Sequence, residues 1–466
     1  MNKENQIFPS SRRAGIRLLV DKECTLEGAP PALAAVIRKR LTVKNPKYDA
    51  AVRYGRWVGK QLKPKLYFYR EKDGRLFFPR GFANQAVLLC RAHVGQSPQI
   101  IDNRRLLDPV AITFSGTLRP YQQEAVSAVL NHSFGVLEAG TGSGKTVMAL
   151  KILAKRGQPT MIIVHSRELL HQWRLRIEEF LGIRAGQAGG GKVDIQPVTV
   201  GIVNTVRNKL TELAPRFGHL IVDECHRVPA GLFTDVVSGF DAWYMLGLSA
   251  TAFRREDGMT RVIYTYMGDR THAVDAEKLV ESGAVVRPMF IQKETEFTYG
   301  YRGEYPKLIK ALAKNDKRNG QIVSDIASLL ENDHSGTLLV VSDRIAHCRV
   351  LQEKLALLGY DASLLTGRIH PEERERIVTG VQAGKIQVLI ATLQLIGEGF
   401  DCPGLTTIVL ATPIKFEGRL LQVVGRVMRP LQGKTAMVID YADSRVPVLR
   451  RSAENRRILF DKWGTD

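Results

Sequence analysis

A glycine-rich loop between an apolar strand and a helix constrains the fold more than any other feature of the chain. The strand is predicted over residues 135–138, the loop reads Ala139-Gly-Thr-Gly-Ser-Gly-Lys145-Thr146, and a helix follows at once. Glycines let backbone N–H groups approach phosphates, and the N-terminus of the helix adds partial positive charge. Lys145 would reach the β and γ phosphates, and Thr146 would ligate Mg²⁺. The predicted phosphate-binding residues are Gly140, Thr141, Gly142, Ser143, Gly144, Lys145 and Thr146.

A carboxylate pair follows a second apolar run, in the sequence Leu220-Ile-Val-Asp223-Glu224-Cys-His226. The strand would carry Asp223 to the sheet edge, where it holds Mg²⁺ through water, and Glu224 would polarise the attacking water. His226 is assigned to the same catalytic group. The pattern predicts hydrolysis of ATP, with ATP and Mg²⁺ as cofactors and with Thr146 and Asp223 as the metal ligands.

Short apolar strands alternate with helices from about residue 113, and the alternation starts again near residue 319. Such strands, separated by helices, predict parallel sheets that are covered on both faces. The strands are expected at residues 135–138, 161–164, 198–203, 220–222 and 245–248, and then at 338–341, 363–365, 388–391, 408–411 and 436–439. The predicted units are a first lobe at 113–290, a polar connector at 291–318 and a second lobe at 319–466.

Residues 1–112 differ from the rest and predict a small basic α+β domain. A helix is expected at 31–41, and a β-hairpin at 66–70 and 75–78, with its turn at Asp73-Gly74. Residues 1–110 hold 22 basic and 9 acidic side chains, so they carry 13 of the net 20 positive charges of the chain. A field of that sign attracts polyanions, above all a nucleic-acid backbone.

Aromatic residues are interleaved with these basic residues, and they allow two interpretations. They include Trp57, Tyr67, Phe68, Tyr69, Phe77 and Phe78. In the first interpretation the rings stack on bases while the basic groups contact phosphates. In the second, most of the rings form the core of the small domain and the basic groups face solvent. Both interpretations stay open from the sequence.

Several motifs follow in order and resemble those of superfamily 2 helicases of the DEAH/DECH kind, across residues 113–445. Leu118-Arg-Pro-Tyr-Gln122 resembles the adenine-recognising motif, which implies nucleotide contacts for Arg119 and Gln122. Val164-His-Ser-Arg-Glu-Leu-Leu is similar to motif Ia, and Gly201-Ile-Val-Asn-Thr to motif Ib. In relatives both motifs touch the nucleic-acid backbone. The residues implied for that contact are Ser166, Arg167, Asn204 and Thr205.

Three further motifs carry the resemblance into the second lobe. Ser249-Ala-Thr251 matches motif III, which links hydrolysis to strand movement, and Ala391-Thr392 with Gly397-Glu-Gly-Phe-Asp401 resembles motif V. Gln422-Val-Val-Gly-Arg426-Val-Met-Arg429 matches the motif VI pattern QxxGRxxR. The implied roles are nucleic-acid contact for Thr392, nucleotide contact for Asp401, and coupling for Ser249, Thr251 and Gln422.

Arg426 and Arg429 fit the chemistry of an arginine that reaches a phosphate across a lobe interface. Such a group stabilises the charge that develops during transfer, and it must come from outside the lobe that holds the phosphate-binding loop. The resemblance therefore implies two tandem RecA-like α/β lobes, with ATP in the cleft between them and both arginines in catalytic roles.

The closest likeness is to the XPB, UvsW and type III restriction group. That likeness implies a DNA helicase or translocase that unwinds or remodels single-stranded, forked or branched DNA, in repair or recombination. Two alternatives stay open: an RNA helicase, and a duplex-DNA motor of a restriction or defence complex that needs a nuclease partner. Accessory N-terminal domains of similar helicases recognise damaged or branched DNA, which implies that role for residues 1–112.

The remaining composition favours a cytoplasmic enzyme without structural metal. No apolar run approaches the ~18 residues that span a membrane. The five cysteines, Cys24, Cys90, Cys225, Cys348 and Cys402, lie far apart without a CxxC pair. Neither a zinc site nor a disulfide framework is expected, and a reducing cytoplasm of a bacterial or phage-infected cell is the simplest compartment.

Overall fold

The computed structural model describes residues 15–461 apart from 54–56, 60, 230, 251–258, 333–335, 368, 398–403, 416 and 430–434. The described residues form a small N-terminal α+β domain followed by two α/β lobes, each with its own sheet. This is the fold class that the sequence predicts. All ten predicted strands of the two lobes are present, with ends shifted by no more than three residues.

The N-terminal domain is built on a five-stranded mixed sheet, and a two-stranded ribbon forms a separate small sheet. Its elements are β1 (Arg17–Val20), β2 (Glu23–Glu27), α1 (Pro31–Arg40), β3 (Thr42–Lys44), α2 (Pro46–Arg53), β4 (Lys65–Tyr67), β5 (Arg70–Lys72), β6 (Arg75–Pro79), α3 (Ala83–Val94) and β7 (Gln99–Asp102). The strand order is β5-β6-β2-β1-β7, and β3 pairs with β4. Alternate residues of β1, β2 and β6 are buried, as the period of two in a strand requires.

The predicted hairpin is present, but its first strand lies further along the chain. β5 pairs with β6 in antiparallel register, with Lys72 opposite Arg75. The turn residues Asp73 and Gly74 have φ angles of 50° and 68°. Two successive positive φ angles are typical of a type I′ turn, whose twist matches that of the strands. Leu66, which was expected in the hairpin, belongs to β4 in the ribbon.

The first lobe contains an eight-stranded sheet, and helices connect most of its strands along the chain. Its elements are α4 (Pro120–Leu130), β8 (Phe134–Glu138), α5 (Lys145–Arg156), β9 (Thr160–Val164), α6 (Arg167–Leu181), β10 (Gly186–Gly189), β11 (Lys192–Asp194), β12 (Val198–Ile202), α7 (Val203–Asn208), α8 (Leu210–Leu213), β13 (His219–Val222), α9 (Gly231–Gly239), β14 (Tyr244–Ser249), α10 (Thr260–Met267), β15 (Arg270–Ala273) and α11 (Ala276–Glu281). The order is β11-β10-β12-β9-β13-β14-β8-β15, and every pair is parallel except β10 with β11. β14 lies between β8 and β13, and the three strands are parallel, so their carboxyl ends lie at the same edge of the sheet.

The N-terminal domain and the first lobe share one hydrophobic core. Leu18 and Phe78 of the domain belong to the same buried cluster as Met245 and Met267 of the lobe. The buried Arg80 donates a hydrogen bond to the carbonyl oxygen of Ala242 at 2.8 Å. A continuous apolar core across the boundary holds the domain against the lobe.

Glycine is required where the domain and the lobe touch most closely. A Cβ atom added at Gly81 would lie 2.5 Å from backbone atoms of Tyr266 and Gly268. An ion pair of 2.7 Å between Arg105 and Asp241 fixes the segment that leads into the lobe. The small domain is therefore packed closely against the first lobe.

The second lobe contains a six-stranded, fully parallel sheet in the order β16-β21-β20-β17-β19-β18. Its elements are β16 (Met289–Glu294), α12 (Tyr305–Lys314), α13 (Asp316–Glu331), β17 (Thr337–Ser342), α14 (Ile345–Leu357), β18 (Ser363–Leu365), α15 (Pro371–Gln382), β19 (Val388–Thr392), α16 (Leu393–Gly397), β20 (Leu405–Leu410), α17 (Glu417–Val427), β21 (Met437–Ala442) and α18 (Pro447–Asp461).

The segment expected as a connector, residues 291–318, is part of the second lobe. β16 pairs with β21 over six positions, and α12 and α13 follow it. Between α11 and β16, the amide of Val286 donates to the carbonyl oxygen of Met428 at 2.7 Å, so this short passage already lies on the second lobe. The polar composition of residues 291–318 reflects an edge strand and amphipathic helices, which expose polar faces to solvent.

Among the described helices, none combines the length and the apolar character that a bilayer span requires.

Candidate active site between the two lobes

The phosphate-binding loop follows β8, and its glycines are required by close packing. Gly142 and Gly144 have φ angles of 85° and 79°, in the left-handed region that glycine adopts readily. A Cβ atom at Gly142 would lie 2.9 Å from the side chain of Val285, and one at Gly144 would lie 2.5 Å from that of Gln122. The loop is therefore enclosed by the segment between the lobes and by the first motif of the chain.

Side chains of that first motif hold the carbonyl group of Ser143 in place. The Tyr121 hydroxyl and the Gln122 amide nitrogen each donate a hydrogen bond of 2.9 Å to it. The Gln122 side chain also accepts from the backbone N–H of Arg119 at 3.0 Å, which caps α4. The structure thus places Gln122 and Tyr121 on the loop, whereas the Arg119 guanidinium donates to the carbonyl oxygen of Ser282 at 3.2 Å. Contact of Arg119 and Gln122 with the nucleotide stays a prediction.

The residues predicted to hold Mg²⁺ offer the oxygen donors that this ion prefers. Thr146 is the second residue of α5, and Asp223 directly follows β13, two strands away in the sheet. A hydroxyl and a carboxylate at this edge fit Mg²⁺, which binds through one or two carboxylates, waters and substrate phosphates. The Lys145 ammonium, close by, donates to the carbonyl oxygens of Ala139 at 3.0 Å and Gly140 at 3.4 Å.

Asp223 is held by a residue that the sequence interpretation missed. Its Oδ1 accepts from the backbone N–H of Glu224 at 2.9 Å, and its Oδ2 accepts from the indole Nε1 of Trp173 at 2.8 Å. Burial raises the pKa of Asp223, and the neighbouring charge of Glu224 raises it further. Trp173 lies on the buried stripe of α6 with Leu170 and Ile177, so helical spacing already placed it toward the sheet.

Glu224 occupies a strained backbone position and contacts His226. Its φ and ψ are both 50°, which is rare for a residue with a side chain and is typical of functional sites. The Nδ1 atom of His226 lies 3.1 Å from Oε2 of Glu224 and 3.3 Å from Oγ of Ser249. Burial alone would raise the pKa of Glu224, but the hydrogen bond and charge of His226, with the charge of Lys145, lower it overall.

His226 therefore joins the predicted hydrolytic pair to the predicted coupling motif, because Ser249 ends β14. Thr251, the other predicted residue of that motif, lies outside the described residues.

Helix α17 brings the second lobe against the phosphate-binding loop. A Cβ atom added at Gly425 would lie 2.5 Å from Cβ of Thr141, so the backbone of α17 packs directly on the loop. Burial lowers the pKa of Arg426 to about 10, and the negative charge of Glu224 in the first lobe opposes that shift.

Arg429 also faces the first lobe. Burial lowers its pKa, and the positive charge of Arg176 on α6 lowers it further. The structure thus places both predicted arginines at the lobe interface. Gln422 lies on α17, but its side chain is outside the described part.

A second cleft, of about 580 Å³, lies between the lobes and contains one of the predicted nucleic-acid contacts. Residues of both lobes line it, including Glu168, Asp343, Gly367, Arg374, Thr392 and Arg419. An ion pair of 2.8 Å between Glu168 and Arg374 crosses it. Arg374 carried no recognisable signal in the sequence.

Ser166 and Arg167 open α6 directly beside Glu168, and the hydroxyl of Ser166 caps the helix by accepting from the backbone N–H of Leu169 at 3.3 Å. Glu168 and Thr392 both line this interlobe cleft, and Ser166 and Arg167 directly precede Glu168 in the chain.

The other predicted nucleic-acid residues are placed elsewhere. Asn204 and Thr205 lie in the first turn of α7, where Asn204 is exposed and Thr205 is half-buried, and neither lines this cleft. Asp401 and the neighbouring part of its motif lie outside the described residues. Its contact with the nucleotide stays a prediction.

Known protein families match both lobes. Residues 115–254 match the family "Type III restriction enzyme, res subunit", and residues 321–430 match "Helicase conserved C-terminal domain". The two matches together cover more than half of the chain.

Individual proteins extend this similarity across both lobes. The chain is 25% identical over 377 residues to the DNA 3′-5′ translocase XPB2 of Sulfurisphaera tokodaii, over 73% of this chain and 84% of that one. It is 26% identical over 437 residues to the ATP-dependent DNA helicase uvsW of Enterobacteria phage T4, over 85% and 84% of the two chains. The solved structure of S. cerevisiae Dbp5 bound to RNA and ADP BeF3 matches with a TM-score of 0.53 and 17% identity, over 74% of this chain and 87% of that one.

The Dbp5 similarity shows the fold alone, which is a pair of RecA-like lobes. The ordered motifs, the two family matches and the relatives go further: this ATP-hydrolysing enzyme belongs to the superfamily 2 helicases, in the group of XPB, UvsW and the type III restriction enzymes.

Proposed function

We propose that the chain is a DNA helicase or translocase in which ATP hydrolysis between the two lobes drives strand movement. The observation that carries this proposal is the packing of α17 on the phosphate-binding loop. Gly425 packs against Thr141, and the next residue in the helix is Arg426, which the charge of Glu224 influences. Hydrolysis at such a site requires that both lobes are correctly positioned, so the rate of hydrolysis depends on their relative position.

The proposed chemistry divides among the residues of the two lobes. Glu224, held ionised by His226 and Lys145, accepts a proton from the attacking water. Lys145 and the loop amides hold the phosphates, and Arg426 and Arg429 stabilise the charge that develops on the transferring group. Mg²⁺, held by Thr146 and Asp223 when bound, neutralises phosphate charge.

Helix α6 provides a physical connection from this site to the second cleft. Its N-terminus, at Ser166 and Arg167, offers backbone N–H groups and partial positive charge to a phosphate backbone. Its first turn carries Glu168, which pairs with Arg374 of the other lobe, and its second turn carries Trp173, which donates a hydrogen bond to Asp223. We propose that nucleic acid binds along this cleft, with Thr392 on the opposite side and with Asn204 and Thr205 extending the path.

DNA is the proposed substrate because XPB2 and uvsW are both named as acting on DNA. Unwinding or remodelling of forked or branched DNA, in repair or recombination, is the proposed task. The basic N-terminal domain would serve as its accessory DNA-binding part. The described cysteines, Cys24, Cys90, Cys225 and Cys348, are free thiols, which supports a reducing cytoplasm as the compartment.

A second candidate is the motor of a restriction or defence complex on duplex DNA. The match of residues 115–254 to the type III restriction family favours it. That motor would hydrolyse ATP on duplex DNA without separating the strands, and it would co-purify with a nuclease partner.

Steady-state ATPase activity with matched ligands tests these proposals. The ligands are no nucleic acid, single-stranded DNA, duplex DNA, forked DNA and RNA, with Lys145→Ala as the inactive control. Greatest stimulation by forked DNA, together with strand separation, supports the favoured function. Stimulation by duplex DNA without unwinding supports the restriction-type motor, and greatest stimulation by RNA overturns the DNA assignment.

A further inference from the structure

A cleft of about 460 Å³ lies where the N-terminal domain meets the first lobe, away from both interlobe clefts. Its lining combines aromatic rings of the small domain with residues of α9 and α10. They include Tyr67, Tyr69, Arg70, Phe77, Ser238 and Tyr266. A volume of this size accommodates a nucleobase with its sugar.

The rings at this cleft are held in fixed orientations. Tyr67 and Tyr69 pack edge to face with centroids 5.9 Å apart, and the guanidinium of Arg70 lies 3.8 Å from the ring centroid of Phe77. Tyr67 is 55% exposed. Aromatic faces that are fixed and accessible form a stacking platform for bases.

The structure separates the two interpretations of the aromatic residues. Phe78 is 1% exposed and packs in the shared core, whereas Tyr67 is open to solvent. An exposed ring does not gain the favourable free energy of apolar burial that a core position would give. Contact with a ligand would bury the ring and supply that free energy. The exposed rings, rather than the whole set, are therefore the candidates for base stacking.

Positive charge is concentrated on the ribbon that carries Tyr67. Lys44 lies directly opposite Lys65 in the β3–β4 register, and both side chains are exposed. Like charges directly opposite each other destabilise a strand pair. Within the described part of the chain, neither lysine forms an ion pair. A phosphate between them would remove the repulsion.

Tyr67 presents its ring on the same face of the ribbon as Lys65, because residues two apart in a strand share a face. The one carboxylate of the cleft lining, that of Glu23, is paired with Arg70. Because Lys22 also lines the cleft, the lining carries one net positive charge, and a cationic ribbon borders it. Positive charge at the cleft and on the ribbon suits the phosphates of a bound strand, and the aromatic rings suit its base.

We propose that this cleft binds an unstacked base of single-stranded DNA while Lys44 and Lys65 contact the adjacent phosphates. Bases inside a duplex are stacked on both faces, so only a single strand or an extruded base presents a free face to Tyr67. The inference rests on the proposed function, because it takes DNA as the substrate. It assigns the recognition of single-stranded DNA to the junction of the N-terminal domain and the first lobe, outside the path between the two lobes.

Single-stranded DNA that carries a fluorescent adenine analogue tests the proposal in the full-length protein. The wild-type protein should quench the fluorescence of the analogue. Tyr67→Ala should reduce this quenching and weaken the affinity for single-stranded DNA by about tenfold. Tyr67→Phe should retain both, because it keeps the ring. Lys65→Ala should lower the slope of log affinity against log salt by about one, whereas Lys310→Ala, on α12 of the second lobe, should leave it unchanged.

The result separates this proposal from the proposed function. If DNA stimulates the ATPase of the wild-type protein but Tyr67→Ala keeps full affinity and quenching, the cleft does not bind a base and this inference alone is overturned. If no nucleic acid stimulates the wild-type ATPase, the proposed function fails first. Thermal unfolding of Tyr67→Ala should match the wild-type protein because the side chain lies outside the core.

Discussion

The indole nitrogen of Trp173 donates a hydrogen bond of 2.8 Å to the carboxylate of Asp223. Trp173 is buried on α6, the helix whose first turn is capped by Ser166 at the second cleft. A helix of 15 residues behaves as a stiff rod over this distance. Any displacement of its N-terminus therefore reaches the carboxylate that is proposed to hold Mg²⁺.

Trp173→Phe keeps an aromatic ring in the core but removes the N–H group together with part of the indole ring. We expect weaker Mg²⁺-dependent binding of nucleotide, by about tenfold, because the buried Oδ2 of Asp223 loses its donor. Nucleotide binding in the presence of a chelator should not change. Titration of a fluorescent ATP analogue with and without Mg²⁺ measures both, and Trp243→Phe, at a tryptophan outside this site, is the matched control. Equal losses with and without Mg²⁺ would indicate a general packing defect.

Glu224→Gln preserves the shape of the site and removes the carboxylate that is proposed as general base. Hydrolysis should fall by about 10²–10⁴-fold, while ATP binding stays within a few-fold of the wild-type value. Rapid-quench measurement of a single turnover and equilibrium binding give the two quantities. Glu178→Gln, at an exposed position of α6, should leave both unchanged. Near-normal turnover in Glu224→Gln would reject the assignment.

Arg426→Ala should lower the hydrolysis rate by about 10³-fold or more, with a smaller effect on binding, because an interface arginine acts mainly on the developing charge. Arg426→Lys should recover only part of the rate, since lysine lacks the planar fork of donors. Steady-state ATPase activity with saturating DNA measures the change. Arg450→Ala, on the exposed face of α18, is the control. A rate within tenfold of wild type in Arg426→Ala would contradict the role.

The ion pair between Glu168 and Arg374 connects the two lobes across the second cleft. Both side chains are partly exposed, so we expect about 0.5 kcal/mol from the pair itself. Arg374→Glu should weaken DNA-stimulated ATPase by a few-fold, because it places two carboxylates opposite each other. The double change Glu168→Arg with Arg374→Glu should restore activity. Failure of the swap to restore it would show that one of the residues contacts substrate directly.

Arg80→Leu tests the joining of the N-terminal domain to the first lobe. The carbonyl oxygen of Ala242 would lose its buried donor, and we expect a loss of about 2–4 kcal/mol of unfolding free energy. Because the core is continuous, the domain and the lobe should unfold in one transition in scanning calorimetry. Arg75→Leu removes an ion pair whose arginine is largely exposed, and Glu27 keeps its second partner Arg17, so the loss should be less than about 1 kcal/mol. An early, separate transition would show that the domain folds independently.

Much of the fold could be predicted because its buried strands are apolar along their whole length. β9, β13 and β17 are fully buried, and such runs stand out from the polar helices around them. β16 was missed because it is an edge strand in which polar and apolar side chains are mixed.

The site could be predicted where chemistry requires a local pattern, as in the loop before Lys145 and the pair at Asp223. Arg374 could not be predicted, since its partner Glu168 is distant in the sequence and only the approach of the lobes brings them together.

The common core of the N-terminal domain and the first lobe has a geometrical consequence. Arg80 and the close contact at Gly81 join the small domain directly to the first lobe. We propose that the two move as one unit, so that the cationic ribbon keeps its distance from the N-terminus of α6 while the second lobe moves. In the proposed mechanism, each cycle of hydrolysis then advances the strand relative to these two fixed contact points.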